Sequence, residues 1–219
     1  MKLLVRFGKS DRLRFISHLD MQRTFQFALS RSGLPVAYTQ GFTPHPIMAF
    51  GSALAMGWTS EYELFEVRMD RDVTEEEGLA AFRRALPPDI QVYSVRACDN
   101  SRPSSMASAV WADYRIRLSD TACLEKLESV LASEHVYAVR KSKSGEKEID
   151  IRPLIAFAFE KDGELRARLS AVQADMLKPE LLVSVLAREA GTQTPDIRVH
   201  RVCLLGIDRK GQPRPLMEL

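Results

Sequence analysis

Residues 61–96 read EYELFEVRMDRDVTEEEGLAAFRRALPPDIQVYSVR. From Glu61 to Asp70 apolar and polar residues alternate, with Phe65, Val67 and Met69 on one side and Glu66, Arg68 and Asp70 on the other, the period of a half-buried strand. Thr74 and Glu77 have the spacing of a capping box, which opens a helix whose Leu79, Phe82 and Leu86 share a face. Pro87 and Pro88 cannot continue that helix, and Ile90–Arg96 reads as a second strand. The stretch is a strand–helix–strand unit.

The preceding sixty residues supply a matching half. Leu3, Val5 and Phe7 alternate with Lys2, Leu4 and Arg6. After a basic loop, Ser17 caps a predicted helix running to about Ser32, with Met21, Phe25, Ala28 and Leu29 on one side; Gly33 and Pro35 end it. One more strand is expected near Val36–Tyr38 or near Met48–Leu54. Residues 99–109 have linker composition. The order then returns: an alternating strand at Ala112–Leu118, a helix carrying Leu124, Leu127 and Leu131, strand text at Val136–Lys141, Glu148–Ile151 and Ile155–Glu160, a hairpin turn at Asp162-Gly163, a helix from Pro179, and a strand at Ile197–Leu205. Two successive split β-α-β patterns predict an α+β protein of two tandem ferredoxin-like (β-α-β-β-α-β) domains with antiparallel sheets, 1–98 and 110–219, joined by the linker 99–109. The sheet face away from the helices must be covered by a partner, a ligand or the sister domain.

Composition fits this. Of 219 residues, 45% are hydrophobic and 27% charged, which excludes disordered, collagen-like and disulfide-scaffold classes. The net charge is +2, but residues 1–60 hold seven Lys/Arg against two Asp/Glu, and residues 61–100 five against ten. That is a two-sided surface rather than a uniform cationic coat. Cys98, Cys123 and Cys203 are odd in number and far apart, with no cluster-binding spacing, as in a reducing cytoplasm. The apolar run at the N-terminus breaks at Arg6, too early for a secretion signal, and no stretch approaches the ~18 apolar residues of a membrane helix.

The segment from Thr39 to Thr59 is rich in glycine and proline, and connections of that length are usually functional or ordered by strands of their own. His45 stands between Pro44 and Pro46, which restrict its backbone, and Gly41 and Phe42 precede it. The motifs SHLD (17–20), GF-x-PHP (41–46) and IDIRPLI (149–155), with the sequence joining them, closely resemble the bacterial radical-SAM-linked family of unknown function. This chain is similar to its free-standing form. The resemblance brings no established activity. It implies a partner, a radical SAM protein carrying the iron–sulfur cluster and S-adenosylmethionine, while this chain binds no cofactor itself. It also implies a specific role for Asp150 and Arg152, read as an Asp–Arg pair at alternate strand positions that orients an inter-domain contact.

Several constellations carry candidate chemistry. His18 and His45, beside Arg12 and Arg14, have the residue types for acid–base cleavage of RNA. His18, Asp20 and His45 lack the close spacing of a metal site. Arg12, Arg14, Arg23 and Arg31 suit a phosphate strip, and Arg140, Lys141, Lys143 and Lys147 a second patch. No phosphate loop, dinucleotide fingerprint or nucleophile elbow is present. The expected function is a cytoplasmic, non-catalytic accessory or substrate-recognition module working with a radical SAM enzyme on RNA or an RNA–protein assembly. Its ligand contacts would be Arg12, Arg14, His18, Gly41, Phe42, Pro44, His45, Pro46, Asp150 and Arg152. The alternatives are a metal-independent RNA-processing enzyme using His18 and His45, and a protein-binding scaffold.

Overall fold

The computed structural model describes residues 1–142 and 145–219 and is a mixed α+β structure with mostly antiparallel sheet. Its chain divides into two compact units, Met1–Ala109 with Gly206–Leu219, and Val110–Leu205.

In the first unit, β1 (Lys2–Lys9) leads to α1 (His18–Ser32), then β2 (Met48–Phe50), β3 (Thr59–Arg68), α2 (Glu75–Ala85) and β4 (Val92–Cys98). The strands lie in the order β4-β1-β3-β2 with every pairing antiparallel. Of the two candidate positions for the second strand, Met48–Phe50 forms it. Val36 and Tyr38 make only single bridges, to Met69 and Pro46.

The caps behave as the sequence demands. Ser17 Oγ accepts from the Asp20 amide at 3.1 Å, and Thr74 and Glu77 bond reciprocally at 3.1 and 3.0 Å, satisfying amides that each helix start leaves open. Gly78 lets α2 come close to the sheet, because a Cβ there would stand 3.0 Å from Leu3 and 3.1 Å from Val95. The core between helices and sheet is aromatic: Phe25 lies 4.8 Å from Phe7, 4.5 Å from Phe65 and 5.2 Å from Phe50 between ring centroids, within the range of favourable ring pairs. The short helix α3 (Ser105–Ser108) forms within the expected linker. There the Ser105 amide bonds to the Glu66 carboxylate.

The second unit runs β5 (Trp111–Leu118), a 3-10 turn (Ala122–Lys126), α4 (Leu127–Ala132), β6 (Tyr137–Ser142), β7 (Gly145–Asp150), β8 (Ile155–Lys161), β9 (Glu164–Ser170), α5 (Pro179–Ala190) and β10 (Ile197–Ile207), whose last two residues cluster with the first unit. Its main sheet has the order β10-β5-β9-β8, again antiparallel, and β6 with β7 forms a separate ribbon. Asp162 and Gly163 close the β8–β9 hairpin with φ of 55° and 73°, the paired positive values that a two-residue turn of this hand requires.

The last segment, with β11 (Pro213–Pro215), returns to the first unit. Arg102 Nη2 donates to the Leu216 carbonyl at 2.6 Å and Arg96 Nη1 to the Leu219 carbonyl at 2.8 Å. The Met217 amide donates to Tyr62 Oη at 2.9 Å, and Leu216 is fully buried. Residues 206–219, which the alternation pattern assigned to the second domain, are thus held by first-unit side chains.

Candidate functional site

The end of β1 and the start of α1 bracket a small cleft in the first unit. Its floor is apolar (Phe7, Met21, Phe50 and Leu54), and its polar lining is Lys9, Ser17, His18, Ser52 and Glu63. The volume is about 20 Å³, room for one ordered water. Lys9 and Glu63 are only 3% and 4% exposed. The Lys9 ammonium donates to the Arg14 and Ile16 carbonyls, each at 3.0 Å. Burial lowers its pKa, and the Glu63 carboxylate works against that. Lys9 therefore pins the loop that follows β1. The loop is tied a second time by the Gly57 amide, 2.8 Å from the Arg14 carbonyl.

His18 sits at the cleft edge, its ring edge-on to Phe50 at 5.3 Å and its Nε2 3.2 Å from Gln22 Nε2. Around the mouth the chain is exposed and amphipathic. Phe15 is 67% exposed, and the Arg14 guanidinium lies 4.6 Å from its ring centroid while pairing with Asp11. Leu19 and Met56 are also exposed. Arg12 is 84% exposed, with Asp89 3.7 Å away.

The proline-flanked segment is a lateral hairpin. Its neck is closed by the Thr39 amide on the His45 carbonyl at 2.9 Å and the His45 amide on Thr39 Oγ1 at 3.0 Å. Gly41, Phe42, Pro44 and His45 are exposed, Phe42 fully, while Pro46 is half-buried beside Tyr38. His45 does not meet His18. No hydrogen bond or ring contact among the described residues joins the two imidazoles: His18 lies beside Gln22 and Phe50, while His45 is exposed at the hairpin neck. Among the described residues no three His, Cys, Asp or Glu side chains gather to hold a metal ion.

The remaining predicted residues are held by local partners. Arg23 lies 3.4 Å from Asp20, and Arg31 Nε donates to the Ala85 carbonyl at 3.0 Å. Arg140 donates to the Ala174 and Met176 carbonyls, and Lys141 pairs with Glu146 at 2.9 Å; Lys143 lies outside the described residues.

Asp150 and Arg152 do not pair side chain to side chain. Asp150 ends β7, and Arg152 begins a 3-10 turn, which breaks the strand alternation that would have set them side by side. The Asp150 carboxylate accepts from His135 Nδ1 at 2.8 Å and from the Val136 and Arg152 amides at 2.9 and 3.0 Å. A carboxylate only accepts, so His135 carries its proton on Nδ1. These three donors, the imidazole foremost, hold the carboxyl at about 2 against an ordinary 3.8. Arg152 reaches the Leu131 and Ile155 carbonyls at 2.9 and 3.2 Å. Within the second unit the motif clips β7, α4 and β8 together.

Lys9 and Glu63 are the cleft residues that the motif reading passed over. The signal was present: the alternation Leu3, Val5, Phe7 carries Lys9 to the inward side, and Phe65, Val67 does the same for Glu63 two residues earlier.

The family model described as an uncharacterized protein conserved in bacteria (DUF2344) matches residues 2–179. A search of curated proteins gave no match.

Proposed function

We propose that this chain, which belongs to the bacterial family DUF2344, is a non-catalytic recognition module of two ferredoxin-like units that serves a radical SAM enzyme acting on RNA or an RNA–protein assembly. The strand orders β4-β1-β3-β2 and β10-β5-β9-β8, in which the first and third strands of each unit are neighbours flanked by the fourth and the second, support the ferredoxin-like reading. The SHLD, PHP and IDIRPLI motifs support the radical SAM partner, which would carry the iron–sulfur cluster and S-adenosylmethionine. Three free cysteines and the lack, among the described residues, of any helix long and apolar enough to cross a membrane are compatible with a cytoplasmic site of action.

One observation carries the RNA reading: the exposed Arg12 and the Arg14–Phe15 pair lie on the short stretch between β1 and α1 whose next residues, Ile16 and Ser17, line the His18 cleft. Guanidinium forks suit phosphate, and an exposed ring accepts an unstacked base. Affinity capture with the full chain from its native cell, sequencing both protein and RNA, tests the reading. A radical SAM protein and a defined RNA are expected. In vitro, Arg12→Ala with Arg14→Ala should weaken RNA retention and reduce the slope of log affinity against log salt by about 1.4, two single-strand phosphate contacts. Failure to retain RNA at low salt, or cleavage of RNA by the purified chain, would overturn it.

A further inference from the structure

The main sheet of the second unit has two chemically different faces. Ala112, Tyr114 and Ile116 of β5, and Leu165, Ala167 and Leu169 of β9, are buried. The residues between them share the opposite face, and strand register fixes their neighbours there. Phe157 and Phe159 of β8 stand opposite Arg168 and Arg166 of β9, and Lys161 stands opposite Glu164. Across β9, Arg168, Arg166 and Glu164 meet Asp113, Arg115 and Arg117 of β5, and Arg117 in turn meets Arg198 of β10.

Cations thus outnumber carboxylates on this face. Asp113 receives Nε and Nη2 of Arg168 at 2.7 and 2.9 Å, and Glu164 is shared by Arg117 and Arg166. Among the described residues Arg166 Nε, a buried atom, has no hydrogen-bond partner. At the margin, Phe157 and Phe159 are 38% and 47% exposed, their ring centroids 5.8 Å apart and their planes 33° from parallel. The Arg168 guanidinium lies 5.0 Å from the Phe157 centroid. Exposed rings at the margin of an arginine-rich sheet match a ligand that alternates flat apolar groups with negative charge. Single-stranded nucleic acid has that alternation. A duplex hides its base faces, and an acidic peptide has nothing to stack.

We infer that this face is a platform for single-stranded RNA, on which Phe157 and Phe159 stack unpaired bases while the arginines of β9, β5 and β10 take phosphates. The choice of RNA rests on the function proposed above. The site itself rests on other residues, in the other unit.

Fluorescence anisotropy of the full chain with a labelled single-stranded RNA 12-mer of mixed sequence tests it. Phe157→Ala with Phe159→Ala should weaken binding roughly 30-fold or more with the salt slope unchanged. Phe157→Leu with Phe159→Leu, which keeps apolar bulk without a flat ring, should weaken it as well. Arg166→Gln with Arg198→Gln should lower the slope by about 1.4. The duplex of the same sequence and poly-glutamate should bind more weakly than the single strand. An unchanged affinity in both phenylalanine variants, or equal binding of poly-glutamate, would overturn the inference. If affinity were then lost only with Arg12→Ala and Arg14→Ala, the RNA function would stand without this site. If the wild-type chain bound no RNA, both would fall.

Discussion

At Asp150 three donors converge on one carboxylate, and the consequence is a pH signature. Its folded-state carboxyl titrates at about 2, against 3.8 for an unconstrained one. The stabilisation is therefore complete above roughly pH 4 and disappears as pH falls toward about 2, where the folded form also takes up the proton. Asp150→Asn should lower the thermal midpoint at pH 6, and the gap from the wild type should close between about pH 4 and pH 2. A gap that is the same at every pH would mean that the charge contributes nothing. Glu66 carries the same lesson in the first unit. Burial works to raise the Glu66 carboxyl, but the Ser105 and Lys2 hydrogen bonds outweigh it and leave it below its ordinary value. Alternation sets Glu66 among the outward residues and the IDIRPLI motif singles out Asp150, but a charged residue in a strand is usually solvated, so neither signal shows how the carboxylate is held. Which partner satisfies each one depends on chain that lies far away in sequence: Ser105 for Glu66, His135 for Asp150.

Elements were the most legible level. The helix starts at Ser17 and Thr74, the stop at Gly33, the proline opening at Lys178–Pro179 and the Asp162-Gly163 turn all rest on chemistry within a few residues, and each is found where the sequence places it. Thr74→Ala should cost about 1 kcal/mol, read as a lower urea midpoint with unchanged m-value, while Thr74→Ser should keep most of it. An unaltered midpoint would show that tertiary packing alone sets the start of α2. The long Gly/Pro segment was harder, because its two candidate strands have the same apolar character. Neighbouring chain decides between them: Met48–Phe50 registers against Phe65–Val67, whereas Ala37 only bonds at the end of β3, donating to the Arg68 carbonyl and accepting from the Ile47 amide. The IDIRPLI motif misled for a related reason. Its alternation is real up to Asp150, and the 3-10 turn at Arg152 cannot be seen from a period of two.

Each unit taken whole repeats one strand order with different embellishments: a lateral hairpin bearing Phe42 and His45 in the first, the β6–β7 ribbon in the second. The repeat was legible because it follows from element order. The return of residues 206–219 to the first unit was not, since it depends on Arg96, Arg102 and Tyr62 meeting backbone more than a hundred residues later. The arginine-rich face of the second unit also escaped, because no local motif marks it; only register puts Arg166, Arg168, Arg117 and Arg198 together beside two phenylalanines. Recognition of single-stranded RNA by these surfaces is the central claim. Its most direct test is ultraviolet crosslinking of the full chain to single-stranded RNA, with the modified peptides located by mass spectrometry. Adducts are predicted on the strand bearing Phe157 and Phe159 and on the Arg12–Leu19 segment. Adducts confined to α2 and α5, or none at all, would contradict the account.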